Sequence, residues 1–319
     1  MRNVVSCFSE SAVNVSNSSS SCSKYSRTAC TAPTQTPSVQ NAVTCLYKIT
    51  LSDQKQLLVA VNWYKTNTVQ GLAINFGDQD HPLPPSSSSS SPSFKLNMNS
   101  RLFRKKKGSK FLESDVAKIE IFWDLANAKY DSGPEPVDGF YVLVMVDSEI
   151  VLILGNNNIA EEAIFTKRFM KTSTTKVAKV SLISRTELCS GNNALYSTRA
   201  QFCNTGIAHE ILIRCSGEKE GLKHPVLSVC IDKKTVIRVK RLQWNFRGNQ
   251  SIFVDGLLVD LLWDVHDWFF NPASGYAVFM FRTRRGMDSR LWLEEKSVHH
   301  KESDTVEFSL LIHACKSSH

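Results

Sequence analysis

The chain has 319 residues, 42% of them hydrophobic, with 38 Lys and Arg against 30 Asp and Glu, a formal net charge of +8 and a pI near 9.0. That content is enough for a packed core, and the positive balance favours acidic partners such as nucleic acid or an anionic lipid surface without bearing on fold. No apolar run approaches the roughly eighteen residues needed to cross a bilayer, since the longest, Phe140 to Val146 and Ile150 to Leu154, are strand length.

Along the chain, residues 1–41 read as a disordered Ser-rich tail, because residues 16–23 are low complexity and cannot bury enough apolar surface to offset ordering. Met1 to Gln40 holds one acid, Glu10, against Arg2, Lys24 and Arg27, a balance shared with organelle transit peptides. The continuous apolar core of a secretory signal is missing. A cytoplasmic or nuclear address is expected, with plastid or mitochondrion as the alternative. Residues 42–319 read as a single β-rich domain. Val43 to Leu51 and Leu57 to Trp63 make an opening hairpin and Gly71 to Phe76 a third strand. Residues 77–93, with their prolines and six serines from Ser86 to Ser91, have the composition of a disordered surface loop.

A repeat follows. Arg101-Leu102 to Trp123-Asp124 aligns without a gap on Arg241-Leu242 to Trp263-Asp264, 140 positions on (263 − 123 = 140), with Gly108 on Gly248, Asp115 on Asp255 and Lys107 on Arg247. A repeat of this length is a structural unit that must pack with its copy, and it places pseudo-repeated halves at about 42–155 and 207–285. In the first copy Ile119, Ile121 and Trp123 share one strand face, with Lys118 and Glu120 on the other. In the second, Val259, Leu261 and Trp263 share a face, and Leu258 and Leu262 on the reverse predict cover on both sides.

Between the copies, Asn158 caps a short helix expected from Ile159 to Met170. Strands are expected at Val177 to Ser184, Tyr196 to Phe202, Glu210 to Cys215, Val226 to Ile231, Thr235 to Val239, Gly275 to Phe281 and Val306 to Ile312. Many short strands with turns between them predict an all-β fold, an antiparallel sandwich or barrel with one short helix.

The nine cysteines are odd in number and form no C-x-x-C pair, so no zinc site is expected. Cys215 and Cys230 read as small buried free thiols, which suits a reducing compartment. No phosphate loop, dinucleotide turn, H-E-x-x-H helix or nucleophile elbow is present, and no cofactor is called for.

Phe122-Trp123-Asp124-Leu125, Gly133-Pro134-Glu135-Pro136, Gly139-Phe140-Tyr141-Val142, Ser197-Thr198-Arg199-Ala200, Leu242 to Gln250, Val254-Asp255-Gly256 and Trp263 to Trp268 together resemble a plant-specific family known as domain of unknown function 868. The resemblance spans roughly Ala42 to Arg282. It implies a plant source and brings no activity, cofactor or catalytic residue to transfer.

Two constellations carry chemistry. Arg101, Arg104, Lys105, Lys106, Lys107 and Lys110, echoed by Lys240, Arg241 and Arg247, form basic connections that would make one anion-binding surface if pseudo-symmetry brought them together. Phe103, Trp244 and Phe246 beside them would stack on bases or enter a lipid interface. The plainer reading is a solvated hairpin whose lysines block edge-to-edge pairing. Asp264 and His266, two apart on a strand, would face one way as an acid-base or ligand-holding pair, although Asp after a strand more often satisfies donors in the next turn. His299-His300 lies in a charged stretch with little call for a metal. Trp123, Asp124, Trp263 and Asp264 are read as structural. The expectation is a non-catalytic binding or scaffold module with an acidic protein, nucleic acid or anionic membrane as partner. The alternative is an enzyme or small-ligand carrier with a pocket near Asp264 and His266.

Overall fold

Apolar and polar residues alternate through much of the chain, and the backbone responds with antiparallel strands joined by tight turns. The computed structural model describes residues 13–15, 37–78, 92–98, 106–113, 117–156, 176–191, 194–203, 206–216, 225–271, 275–284 and 307–316. Most of the expected tail, most of the serine loop, Arg101, Phe103, Arg104, Lys105, the helix expected from Ile159 to Met170 and His299-His300 lie outside them.

The chain divides into two compact units, which are described separately. The first, Gln40–Glu187, contains two antiparallel meanders. Val39–Thr50, Gln56–Lys65, Gln70–Asp78 and Ser93–Asn97 pair in sequence order. Lys179–Ser190, in which this unit ends, lies beside Val39–Thr50. The second meander pairs Lys107–Glu113, Lys118–Asp124, Tyr141–Val146 and Glu149–Gly155. One core joins the two meanders: Val59, Val61, Trp63, Leu72 and Ile74 from one sheet cluster with Ile119, Ile121, Trp123, Val142 and Val144 from the other. Alternate residues of Tyr141–Val146 instead join a second cluster of Tyr141, Leu143, Met145 and Ile150, so that strand is buried on both faces.

The second unit comprises Leu188–His319 and Met1–Val39. Its first meander runs Leu195–Gln201, Ala208–Ser216, Val226–Ile231 and Lys234–Val239, with Val13–Val15 paired onto the last. The other runs Arg247–Val254, Leu257–Asp264, Tyr276–Thr283 and Ser309–Cys315. Ring contacts join the sheets. Tyr196 meets Phe279 at 5.7 Å between centroids, and Phe202 meets Phe281 at 6.2 Å, spacings at which aromatic pairs add to burial. The architecture is all-β and sandwich-like, with one short helix among the described residues, α1 (His266–Phe270).

Three expectations are corrected here. The basic connection Arg101 to Lys110 becomes strand from Lys107 onward, since Gly108 pairs with Trp123 and Lys107 with Asp124 across the ladder. The strand expected to carry both Asp264 and His266 stops at Asp264, because the Asp264 carboxylate takes the His266 N–H at 3.0 Å and turns the chain into α1. Cys230, read as a free thiol, is disulfide-bonded.

Candidate functional site

The hairpins Lys107–Asp124 and Arg247–Asp264 fasten in the same way. In the first, Gly108 lies opposite Trp123, and a Cβ at Gly108 would stand 2.8 Å from the indole Cζ2. In the second, Gly248 lies opposite Trp263, and a Cβ there would strike the same ring atom. Each glycine thus leaves room for a buried indole to lie across the neighbouring strand. Lys107 Nζ sits 2.7 Å from Asp124 Oδ2, and Arg247 Nε donates to Asp264 Oδ2 at 2.8 Å. The hydrogen bond and charge of each aspartate raise the pKa of its cation. The other carboxylate oxygen accepts from the backbone two residues on, Ala126 N–H or His266 N–H, both at 3.0 Å. The N–H one residue past the aspartate, Leu125 or Val265, then donates back to Lys106 O or Phe246 O. Each aspartate thus satisfies a backbone donor in the turn that follows its strand.

The second hairpin is entered through a turn that the described part of the first does not match. Arg241 has a left-handed φ of 52°. Its carbonyl accepts from Trp244 N–H at 2.9 Å and Asn245 N–H at 3.2 Å, and Asn245 Nδ2 donates to Lys240 O at 2.9 Å. Leu242 is buried and Trp263 Nε1 donates to Asn245 O at 3.0 Å, so both legs of the turn are anchored. Trp244 nevertheless stands 79% exposed. Next to it, Phe246, His266 and Phe270 form a ring cluster with centroids 4.9 to 6.0 Å apart, and Arg247 lies over Phe246 at 5.7 Å.

Of the expected cations, Lys106, Lys240 and Arg241 are exposed and form no ion pair among the described residues. Lys107 and Arg247 are held by their aspartates, and Lys110 lies over Phe94 at 5.8 Å. Asp264 and His266 do not converge on a common point. Asp264 accepts from Arg247 across the ladder with one oxygen and from the His266 N–H in the turn with the other, and His266 Nδ1 pairs with Asp267 Oδ1 at 2.8 Å. Among the described residues no set of three His, Cys, Asp or Glu is placed to hold a metal ion, and no helix is long and apolar enough to cross a membrane.

Two polar fastenings escaped sequence reasoning. In the first unit Arg185 forks onto Glu135 at 3.1 and 2.6 Å, donates to Glu187 at 2.6 Å and lies 3.6 Å from Cys45 Sγ. Burial alone would lower the guanidinium pKa, but the two carboxylates hold it above its usual value. Burial also pushes the Cys45 thiol up to about 11, leaving it protonated and a poor nucleophile at neutral pH. In the second unit the buried His209 ring joins two turns: Nδ1 is 2.6 Å from Asp232 Oδ2 and Nε2 is 2.8 Å from Asp255 Oδ2. Two carboxylate acceptors require both nitrogens to donate, which suits the imidazolium. Burial would lower the His209 pKa, yet the bonds to Asp232 and Asp255 raise it.

Fold and site together define an antiparallel, sandwich-like β protein whose described surface carries an aromatic-cationic turn. The chain belongs to the family described as plant protein of unknown function (DUF868), which it matches over residues 38–316. No curated protein and no solved structure matches it.

Proposed function

We propose that the protein is a non-catalytic binding or scaffold module that engages an anionic partner through the turn from Lys240 to Arg247. The supporting observation is that Lys240 and Arg241 are exposed, with no ion pair among the described residues, beside an anchored, outward Trp244. Exposed cations that no described carboxylate holds are available to neutralise a partner, whereas Lys107 and Arg247 are already engaged. The net charge of +8 adds long-range attraction to the same class of partner. The enzyme or carrier reading at Asp264 and His266 draws less support, because Asp264 is engaged by Arg247 and the His266 N–H, and the His266 ring by Asp267. We also take the two units to descend from one duplicated ancestor, a reading supported by the shared hairpin fastening and by the order of meanders in each.

Retention of the full chain on heparin, a generic polyanion, tests the anionic-partner reading. The protein should elute above physiological salt, and Lys240→Glu with Arg241→Glu should elute much earlier. Equal retention of the two proteins would overturn the reading.

A further inference from the structure

We infer that the anionic partner is a membrane surface, with Trp244 entering the headgroup region while Lys240 and Arg241 hold anionic lipid. This rests on the anionic-partner reading above and names the partner's class.

Trp244 is held outward by its own turn. A side chain on a poorly ordered loop can be exposed by chance, but the backbone here is fixed by two hydrogen bonds to Arg241 O, by the Asn245 side chain on Lys240 O and by buried Leu242. The indole is therefore presented outward from a rigid base. Ordering costs on binding are correspondingly small. Two residues on, Phe246 packs against Phe270, which is itself 55% exposed. An indole has an apolar body and one N–H donor, the combination that favours the membrane–water boundary.

The number and kind of cations at the turn favour a lipid headgroup over a nucleic-acid backbone. Proteins that hold nucleic acid by its backbone neutralise about six to ten phosphates, and single-strand binders line a groove with stacking rings. Here two cations with no ion pair among the described residues flank a turn tip, and the ring of Phe246 is already taken by Arg247, His266 and Phe270. A long flexible Lys beside a Trp can keep its charge at headgroup level while its stem lies along apolar surface. Each basic residue near an anionic leaflet strengthens binding by about fivefold.

The test is co-sedimentation of the full chain with vesicles of phosphatidylcholine alone, or of equal parts phosphatidylcholine and phosphatidylserine, with single-stranded DNA binding measured in parallel. Wild type should sediment with the mixed vesicles and not with phosphatidylcholine. Lys240→Glu with Arg241→Glu should lose at least twentyfold in partitioning, by compounding about fivefold per charge. Trp244→Ala should lose about tenfold in partitioning while its retention on heparin stays that of wild type. A blue shift of tryptophan emission on adding mixed vesicles should vanish in Trp244→Phe. All the substituted side chains are exposed, and unchanged thermal melts will show that the variants fold. Retention on heparin with DNA binding and no vesicle binding would overturn the membrane assignment and leave the anionic-partner reading standing. Vesicle binding indifferent to Trp244 would also overturn it. Loss of heparin retention and vesicle binding alike in wild type would remove both.

Discussion

The two hairpins share a fastening but open from different surroundings. Each sets a glycine against a buried tryptophan, pairs a cation with the aspartate that ends the strand, and turns the chain on that aspartate's second oxygen. Past that point they diverge: Asp124 leads to Leu125 and a short ribbon, while Asp264 leads into α1 and its ring cluster. The units around them are also locked differently. The first uses an Arg–Glu cluster of fixed charge and the second a histidine between two aspartates. What stays the same is what the backbone needs to close a hairpin, and what differs is the surface left for a partner.

If the fastening is alike in energy as well as geometry, Trp123→Ala and Trp263→Ala should each cost about 3–5 kcal/mol, since both indoles are buried. Thermal melts that separate the two by more than half of that would break the comparison. Removing the fixed-charge lock with Arg185→Met leaves two carboxylates without their guanidinium, at about 3–5 kcal/mol, and hydrogen exchange should rise in peptides of the first unit before the second. The glycines give a smaller and ordered pair. Gly248→Ala should destabilise more than Gly108→Ala, each by about 1–3 kcal/mol, because its added methyl sits deeper in the indole; denaturant midpoints in the reverse order would contradict the register.

The histidine lock supplies an effect no larger than the glycines' and one that tracks pH. The folded pKa of His209 lies above its usual 6.5, so its contribution is complete below that pH and is lost as pH rises through the raised value. Asp232 is held below its usual 3.8 by its bond to His209, so its contribution is complete above that pH and is lost as pH falls through the depressed value. Amide exchange in the second unit should quicken as pH rises through that raised value, after correction for intrinsic rates, and His209→Ala should flatten that slope at a cost of about 1–3 kcal/mol. The first unit should show no such slope, because a guanidinium does not titrate there.

Most of this was legible where the signal is local. The alternation Ile119, Ile121, Trp123 gives a half-buried strand, and the structure buries those three residues and exposes Lys118. The reverse face of Leu257–Asp264 is half-buried at Leu258 and Leu262, near the two-sided cover that their apolarity suggests. Lys107–Glu113 hid because an edge strand has few burial demands, and its sequence KGSKFLE looks like a loop until Gly108 is set against Trp123. His266 was misplaced because a side-chain bond from Asp264, rather than a change in hydropathy, ends the strand. The Arg185 and His209 locks were invisible for a simpler reason: their partners stand 50 and 46 residues away at Glu135 and Asp255, distances that only the fold closes.

On this proposal the binding surface belongs to the second hairpin's turn and not to the shared fastening. Hydrogen exchange of the full chain with and without mixed phosphatidylcholine–phosphatidylserine vesicles tests it most directly. Slowed exchange confined to peptides spanning residues 240–247, with those spanning 106–113 unchanged, is the predicted result. Equal slowing in both hairpins, or slowing only in the first, would contradict it.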